Sequence, residues 1–192
     1  MSTGQWLIAP EGVTWFFDAG AASLDFAAAP EPVHPRDLGE WLAARYERLD
    51  PSEATERDLT DALGLRAAIQ RLAEAAADGD PLDPDDVDTV NLFGATPDIP
   101  PSLDGGRRQA GAGRIRTGQA LSTLARDVIG ILAVEPERLR RCDADDCRKV
   151  FRDESRTVNR RWCSMQRCGN RAKVRAHRAR ARAATPSGPP VH

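Results

Sequence analysis

Four cysteines lie in the C-terminal part of the 192-residue chain, and they are its only cysteines. They form two pairs of the same spacing, C-x4-C, at Cys142 and Cys147 and at Cys163 and Cys168, with fifteen residues between the pairs. Each pair fits on one tight turn, so two thiolates can reach one ion, and the intervening segment can bring the second turn back. An all-thiolate set favours zinc or an iron centre and leaves no open coordination position. The pattern predicts one structural Zn²⁺ ion and no catalytic metal.

The charge of the chain is divided unevenly. Residues 138–182 contain sixteen Arg or Lys and five Asp or Glu, a formal charge of +11. Residues 1–137 contain eleven Arg and twenty-four acids, a formal charge of −13, so the overall charge of −2 conceals a polarised molecule. A basic segment of this kind favours a polyanionic partner, and nucleic acid is the first candidate.

A basic helix is predicted directly after the last cysteine. Residues 169–182 read G-N-R-A-K-V-R-A-H-R-A-R-A-R, and alanine and arginine are strong helix formers. The helix has a narrow apolar side, and no acid occurs from residue 160 to its end. A solvated surface helix is the alternative interpretation. However, surface helices usually mix signs, and these like charges repel one another unless phosphates or other anions neutralise them.

The rest of the chain predicts a mainly helical α+β fold. Val13 to Asp18 and Ser23 to Ala27 favour a β-hairpin, with one strand followed by a helix start as the alternative. Apolar periodicity predicts helices over 35–49, from Thr55 to about residue 78, from Pro84, and from Thr117. A short strand at 114–116 and a helical turn at 137–141 are also expected. The tail, residues 185–192, has the composition of disorder.

The cysteine segment is expected to be a small metal-dependent module. Its few large apolar residues near the cysteines, among them Phe151 and Trp162, would form a mini-core, and metal binding would replace the missing apolar burial. Asp153 either satisfies backbone groups of a turn, the favoured interpretation, or orients an arginine such as Arg161. The order of knuckle, hairpin and helix predicts a treble-clef-like finger, and an all-β zinc ribbon with a helical extension is the alternative.

The segment C-R-K-V-F-R-D-E-S-R-T-V-N-R-R-W-C-S-M-Q-R-C-G-N-R-A-K resembles the CGNR zinc-finger family. The tetrad that names this family stands here at residues 168–171, and the flanking S-R and R-R-W-C-S-M segments also match. Thr157 departs from the asparagine expected at that loop position. In this family the finger follows an ABATE domain, considered a stress-induced transcription regulator. The segment A-S-L-D-F-A-A-A, residues 22–29, resembles the opening of that domain.

The resemblance implies that the four cysteines are the zinc ligands and that the finger contacts nucleic acid. Asn170 would cap the helix, donate a hydrogen bond to a knuckle carbonyl, or contact a base or phosphate. Arg171 is assigned to the nucleic-acid contact. Arg156, Arg160 and Arg161 on the hairpin arm would hold phosphate, which positions a protein without reading sequence. The predicted nucleic-acid-binding residues are Arg156, Arg160, Arg161, Asn170, Arg171, Lys173, Arg175 and Arg178.

The organisation expected from these features is an ABATE-like helical domain over 1–135, a CGNR-type finger over 136–184 and a disordered tail over 185–192. The leading hypothesis is a DNA-binding transcription regulator of the stress response whose N-terminal domain dimerises or senses a small-molecule or protein effector. An RNA-binding protein and a protein-interaction adaptor are the alternatives. No nucleophile–base set occurs, so an enzyme is not expected. The chain start resembles no signal peptide and no apolar run could span a membrane, which predicts a cytoplasmic protein without membrane contact, associated with the nucleoid if it binds DNA.

Overall fold

The computed structural model describes residues 4–101 and 113–183. Over these residues the chain is mainly helical with two small antiparallel hairpins, which confirms the predicted fold class. The strands and helices, in chain order, are β1 (Gln5–Ile8), β2 (Thr14–Phe17), α1 (Ala22–Ala28), α2 (Pro35–Ala43), α3 (Glu56–Asp78), α4 (Pro84–Gly94), α5 (Thr117–Val134), β3 (Leu139–Arg141), β4 (Val150–Arg152) and α6 (Asn170–Ala183).

The N-terminal hairpin is formed by β1 and β2, with Trp6 opposite Phe16 and Leu7 opposite Trp15. Its inner face buries Leu7, Trp15 and Phe17, as the two-residue alternation of a strand requires. The hairpin predicted between 13–18 and 23–27 is therefore wrong in its second strand. The pairing strand precedes β2, and residues 22–28 form helix α1, as the strand-then-helix alternative had it.

Helix α1 is fixed by two carboxylates, of which Asp25 is buried and Asp127 is partly buried. Asp25 is fully buried, and its carboxylate accepts hydrogen bonds from the backbone N–H groups of Gly4 and Ala19. Asp127 of α5 accepts from both the N–H and the hydroxyl of Ser23 in the first turn of α1. A carboxylate next to a helix N-terminus is favoured electrostatically, so these contacts hold the hairpin, α1 and α5 together.

A five-helix core forms the larger part of the N-terminal region. Thr55 and Asp58 form the predicted capping box at the start of α3, and Gly79 ends that helix in the left-handed conformation. Helix α2 ends at residue 43, earlier than the predicted 49. Ile115 makes one parallel bridge to Leu49, and this bridge stands where a short strand was expected. The first core, built from α1 to α5, includes Phe26, Leu38, Leu42, Leu65, Ile69, Leu72, Leu121, Leu124 and Val128.

The C-terminal module is attached to the N-terminal hairpin through a second core. The predicted helical turn at 137–141 is a 3₁₀ turn over Pro136–Arg138, followed by strand β3. Strand β4 also contacts the N-terminal region, because the N–H of Arg152 donates to the carbonyl of Ala19 at 2.8 Å. Phe151 and three of the cysteines share this core with the inner face of the first hairpin. The metal-site region is therefore packed against residues 7–24.

The described ranges contain no helix that is both long and apolar enough to cross a membrane. The predicted domain limits at 135 and 184 remain predictions, and the tail over 185–192 lies outside the described residues.

Candidate metal centre and basic helix

Two knuckles bring the four cysteines together. The first knuckle connects β3 to β4, and the Cys147 N–H donates to the carbonyl of Ala144 at 2.8 Å. The second is a wide helical turn over Met165–Gly169, which Ser164 caps by accepting from the Arg167 N–H. The Sγ atoms of Cys142, Cys147, Cys163 and Cys168 all lie within 4.8 Å of one another. Cys147 is half-buried, and the other three cysteines are buried.

The sulfur distances fit a tetrahedral thiolate site. Zinc–sulfur bonds of about 2.3 Å place tetrahedral ligand atoms about 3.8 Å apart. The Sγ of Cys163 lies 3.6 Å from that of Cys147 and 3.6 Å from that of Cys168. A disulfide would require sulfur atoms about 2.0 Å apart, and all four cysteines are free. The donor set can therefore hold one metal ion.

Electrostatics within the cluster also favour a cation. Hydrogen bonds from the thiols of Cys147 and Cys163 lower the pKa of Cys142. The same hydrogen bond to the Cys142 sulfur raises the pKa of Cys147, and neighbouring sulfurs together with burial raise that of Cys163. One thiolate thus opposes ionisation of the next, whereas a bound divalent ion would stabilise several thiolates at once.

Arg171 and Asn170 stand at the start of α6, but both contact the finger itself. The Arg171 guanidinium donates to the Sγ of Cys168 at 3.4 Å and pairs with Asp146 at 2.9 Å. Burial disfavours its charge, yet these partners outweigh that cost and raise its pKa. The Asn170 side chain donates to the carbonyl of Gln166 at 3.1 Å, which is the hydrogen bond to a knuckle carbonyl considered for it from sequence. Both side chains support the knuckle.

Arg160 also has structural partners. Its guanidinium donates to the carbonyls of Trp162, Cys163 and, from the N-terminal region, Asp18, and it lies 4.4 Å from the ring centre of Phe151. Its own N–H donates to the carboxylate of Asp153. These contacts tie the loop before the second knuckle to both hairpins, so they limit the contact that Arg160 could make with phosphate.

Asp153 satisfies the backbone of the loop, as the favoured interpretation predicted. It is fully buried and accepts from the N–H groups of Ser155 at 2.8 Å and Arg160 at 2.7 Å. Burial alone would raise its pKa, but these hydrogen bonds outweigh burial and lower it. Arg161 pairs instead with Asp143 at 2.7 Å.

Acids of the first knuckle neutralise part of the basic helix. The Arg175 guanidinium lies 3.2 Å from Asp145 and 3.0 Å from Asp146, which also contacts Arg171. The Arg175 side chain is 48% exposed and that of Asp145 is 90% exposed, and exposed pairs contribute only about 0–1 kcal/mol. A phosphate could therefore replace Asp145 at little cost, whereas Arg171 is held by Cys168 as well.

Three of the predicted nucleic-acid-binding residues are exposed and have no carboxylate partner within the described part of the chain: Arg156, Lys173 and Arg178. Arg156 lies in the loop after β4. Lys173 and Arg180 are seven residues apart and share one face of α6. Arg178 follows Arg175 along the face that begins at the knuckle. The structure therefore divides the predicted set into structural, paired and free cations.

Several residues at this site were not predicted from the sequence. Lys149 donates to the carbonyl of Ala28 at 3.2 Å and lies 5.1 Å from the ring centre of Phe17. Burial lowers the pKa of Lys149. The nearby sulfurs of Cys147 and Cys163 oppose this shift, and the charges of Arg66 and Arg167 add to it. The knuckle acids Asp145 and Asp146 were also overlooked as partners. Their position inside the first C-x4-C motif, next to the basic segment, was the available signal.

Two family models match the chain. The model ABATE, described as "Putative stress-induced transcription regulator", matches residues 20–135, which is more than half of the chain. The model zf-CGNR, described as a CGNR zinc finger, matches residues 138–181. A comparison with curated proteins gave no match. The two matches lie in the order that the sequence resemblance predicted.

Proposed function

The chain belongs to the ABATE family and carries a C-terminal CGNR zinc finger, and from this premise we propose that it is a zinc-dependent, DNA-binding regulator of transcription. The observation that carries the proposal is helix α6. It starts at the four-cysteine cluster, contains no acid, and exposes every residue from Lys173 to Ala181. Phosphates are the simplest partner for such a helix.

The proposed metal is one structural Zn²⁺ ion held by Cys142, Cys147, Cys163 and Cys168. A closed thiolate shell supplies folding energy to a small module and offers no site for substrate. Its position in the second core means that it would also support the N-terminal hairpin.

The proposed interface with nucleic acid uses the exposed cations without carboxylate partners, Arg156, Lys173 and Arg178. Arg175 can join them by exchanging Asp145 for a phosphate. Arg171, Asn170 and Arg160 are assigned to the architecture of the finger. The N-terminal domain is proposed to sense an effector or to dimerise, and the family description is the basis for a role in stress-induced transcription.

Duplex DNA is favoured over single-stranded RNA by the aromatic residues of the finger. Single-strand binding usually stacks bases on exposed aromatic rings. Here Phe151 is fully buried, and Trp162 is half-buried with the Arg161 guanidinium 5.0 Å from its ring centre. The finger therefore lacks an open stacking surface among its described residues.

A double variant, Lys173→Ala with Arg178→Ala, tests the interface. Both side chains are exposed on α6 and lie outside the cysteine knuckles, so zinc content should be unchanged. We expect at least a tenfold loss of affinity for duplex DNA at low salt, measured by fluorescence anisotropy. Arg57→Ala is the control, since Arg57 is 91% exposed on α3 and pairs with Asp61 of the same helix. Equal affinity of all three proteins would contradict the proposed interface, and retention of an acidic protein partner after nuclease treatment would favour the adaptor.

A further inference from the structure

A cleft of about 980 Å³ lies between the first hairpin, α1, α3 and the finger. Its size falls within the range of about 300–1,000 Å³ found for small-molecule sites. Apolar side chains from the N-terminal region form much of its lining, among them Leu7, Trp15, Leu24 and Ala73. Arg66, Lys149, Arg167 and the half-buried Cys147 also line it, so both parts of the chain contribute.

Two cations meet at the C-terminal end of α1 inside this cleft. Lys149 Nζ donates to the carbonyl of Ala28 at 3.2 Å, and Arg66 Nη2 donates to the next carbonyl, that of Ala29, at 2.7 Å. Adjacent carbonyls thus bring together a lysine of the finger and an arginine of α3. A helix C-terminus carries only about half a negative charge, which does not neutralise both.

The remaining partners leave these two cations undercompensated. Arg167, which lines the same cleft, is paired with Glu11 at 3.0 Å. Arg66 reaches Glu31 only at 3.4 Å, and the Glu31 side chain is 70% exposed. The buried Nε of Arg66 has no hydrogen-bond acceptor, and Lys149 has no carboxylate within salt-bridge distance in the described residues. Metal-bound thiolates would attract Lys149 from one side but would not reach Arg66 by any observed contact.

We propose that this cleft binds a small organic carboxylate with an apolar body. The carboxylate would lie at Lys149 and Arg66, where charge-assisted hydrogen bonds are strongest, and the apolar part would cover Trp15 and its neighbours. The positive charges of Lys149 and Arg66 disfavour a cationic ligand at this end of the cleft.

Such a ligand would connect the two parts of the chain, because Arg66 belongs to α3 and Lys149 lies two residues after Cys147. Its binding would therefore favour one position of the finger against the N-terminal region. An effect on DNA affinity rests on the proposed function, whereas binding of the carboxylate does not.

The test is calorimetric titration of the zinc-loaded full chain with 1-naphthoate, in the absence of DNA. The uncharged comparison compound is 1-naphthalenemethanol, which keeps the aromatic body and lacks the charge. We expect naphthoate to bind at one site per chain and at least tenfold more tightly than the alcohol, since hydrogen bonds to charged groups are the stronger ones. This comparison needs only the unmodified protein. No binding of millimolar naphthoate, or equal binding of both compounds, would overturn the proposal.

Matched variants then locate the site. Arg66→Gln and Lys149→Met should each weaken naphthoate binding about tenfold or more. Arg57→Gln, an exposed arginine of the same helix as Arg66, should leave it unchanged. Zinc content and far-ultraviolet circular dichroism check that each variant is folded. If Lys149→Met loses zinc, the result for Arg66→Gln alone decides the test. Unchanged naphthoate affinity in Arg66→Gln, or an equal loss of affinity in Arg57→Gln, would refute the assignment of the site. Because DNA is absent, failure here leaves the proposed DNA binding separately testable.

Discussion

Tyr46 is the one tyrosine of the chain, and its hydroxyl is buried without a hydrogen-bond partner among the described residues. Burial raises the pKa of Tyr46 to about 12. The nearby charge of Asp127 acts in the same direction, and that of Arg45 opposes it. The phenol of the folded state therefore holds its proton at a pH where an exposed tyrosine would lose it.

The pKa of Tyr46 predicts a specific alkaline behaviour. The phenol of the unfolded chain ionises near pH 10, so the contribution of the neutral phenol to stability is complete below that pH. It is lost as the pH rises through about 12. Absorbance at 295 nm, which here reports one phenolate, should show no ionisation at pH 10 in the folded protein. Half-ionisation at pH 10 without unfolding would contradict the buried position.

Gly20 lies at a close approach between the N-terminal region and the finger. It has φ +76°, and a Cβ atom there would lie 2.9 Å from the carbonyl oxygen of Arg152. Gly20→Ala should lower the free energy of unfolding by about 1–2 kcal/mol, because alanine is disfavoured in the left-handed conformation. The clash with the Arg152 carbonyl should lower it further. The measurement is urea unfolding.

Gly12 provides the matched control for this substitution. It has φ +80°, and a Cβ atom there would meet no other atom within 4 Å, so Gly12→Ala carries the conformational cost alone. Equal destabilisation by the two substitutions would mean that the finger does not approach Gly20 as described.

At the scale of elements, the second core couples the cysteine cluster to the first hairpin. Cys163 and Cys168 share that core with Leu7, Trp15 and Phe17. Cys163→Ser should therefore abolish metal retention and unfold the finger. The helices that form the first core should be spared, but the shared second core predicts that the hairpin will loosen as well.

Hydrogen exchange can separate these outcomes. In Cys163→Ser, residues 5–17 should lose amide protection, whereas α3, which packs mainly in the first core, should retain it. Treating the unmodified protein with a chelator is the control and should give the same pattern. Full protection of residues 5–17 after metal loss would show that the hairpin does not depend on the metal centre.

The sequence predicted well those elements whose signals are local. The capping box of α3 depends on Thr55 and Asp58, three residues apart, and the cysteine cluster depends on two short motifs. The N-terminal hairpin was misassigned because Ser23 to Ala27 is apolar enough for a strand, while its helical state depends on Asp127, 104 residues away. The intramolecular partners of Arg160 and Arg171 were equally hidden, since a basic residue does not reveal in sequence whether a carbonyl, a thiolate or a phosphate is its partner.

At the scale of the whole molecule, the structure shows which part of the basic segment is neutralised and which part remains open. The acids of the first knuckle neutralise the first turns of α6, and its later turns remain open to an anion. The 1–137 region carries a formal −13, so a polyanion is expected to approach along the outer part of α6 and away from the helical core. Binding should therefore fall steeply with ionic strength.

The salt dependence of binding to generic duplex DNA tests the central claim most directly. The logarithm of affinity should fall with the logarithm of salt concentration by about 0.9 per phosphate neutralised. Arg156, Lys173 and Arg178 as contacts predict a slope of about −3, and release of Arg175 from Asp145 would make the slope about one unit steeper. Fluorescence anisotropy of the zinc-loaded chain provides the measurement. A slope in this range supports the phosphate contacts of α6, whereas no binding at low salt, or a slope near zero, would contradict the account.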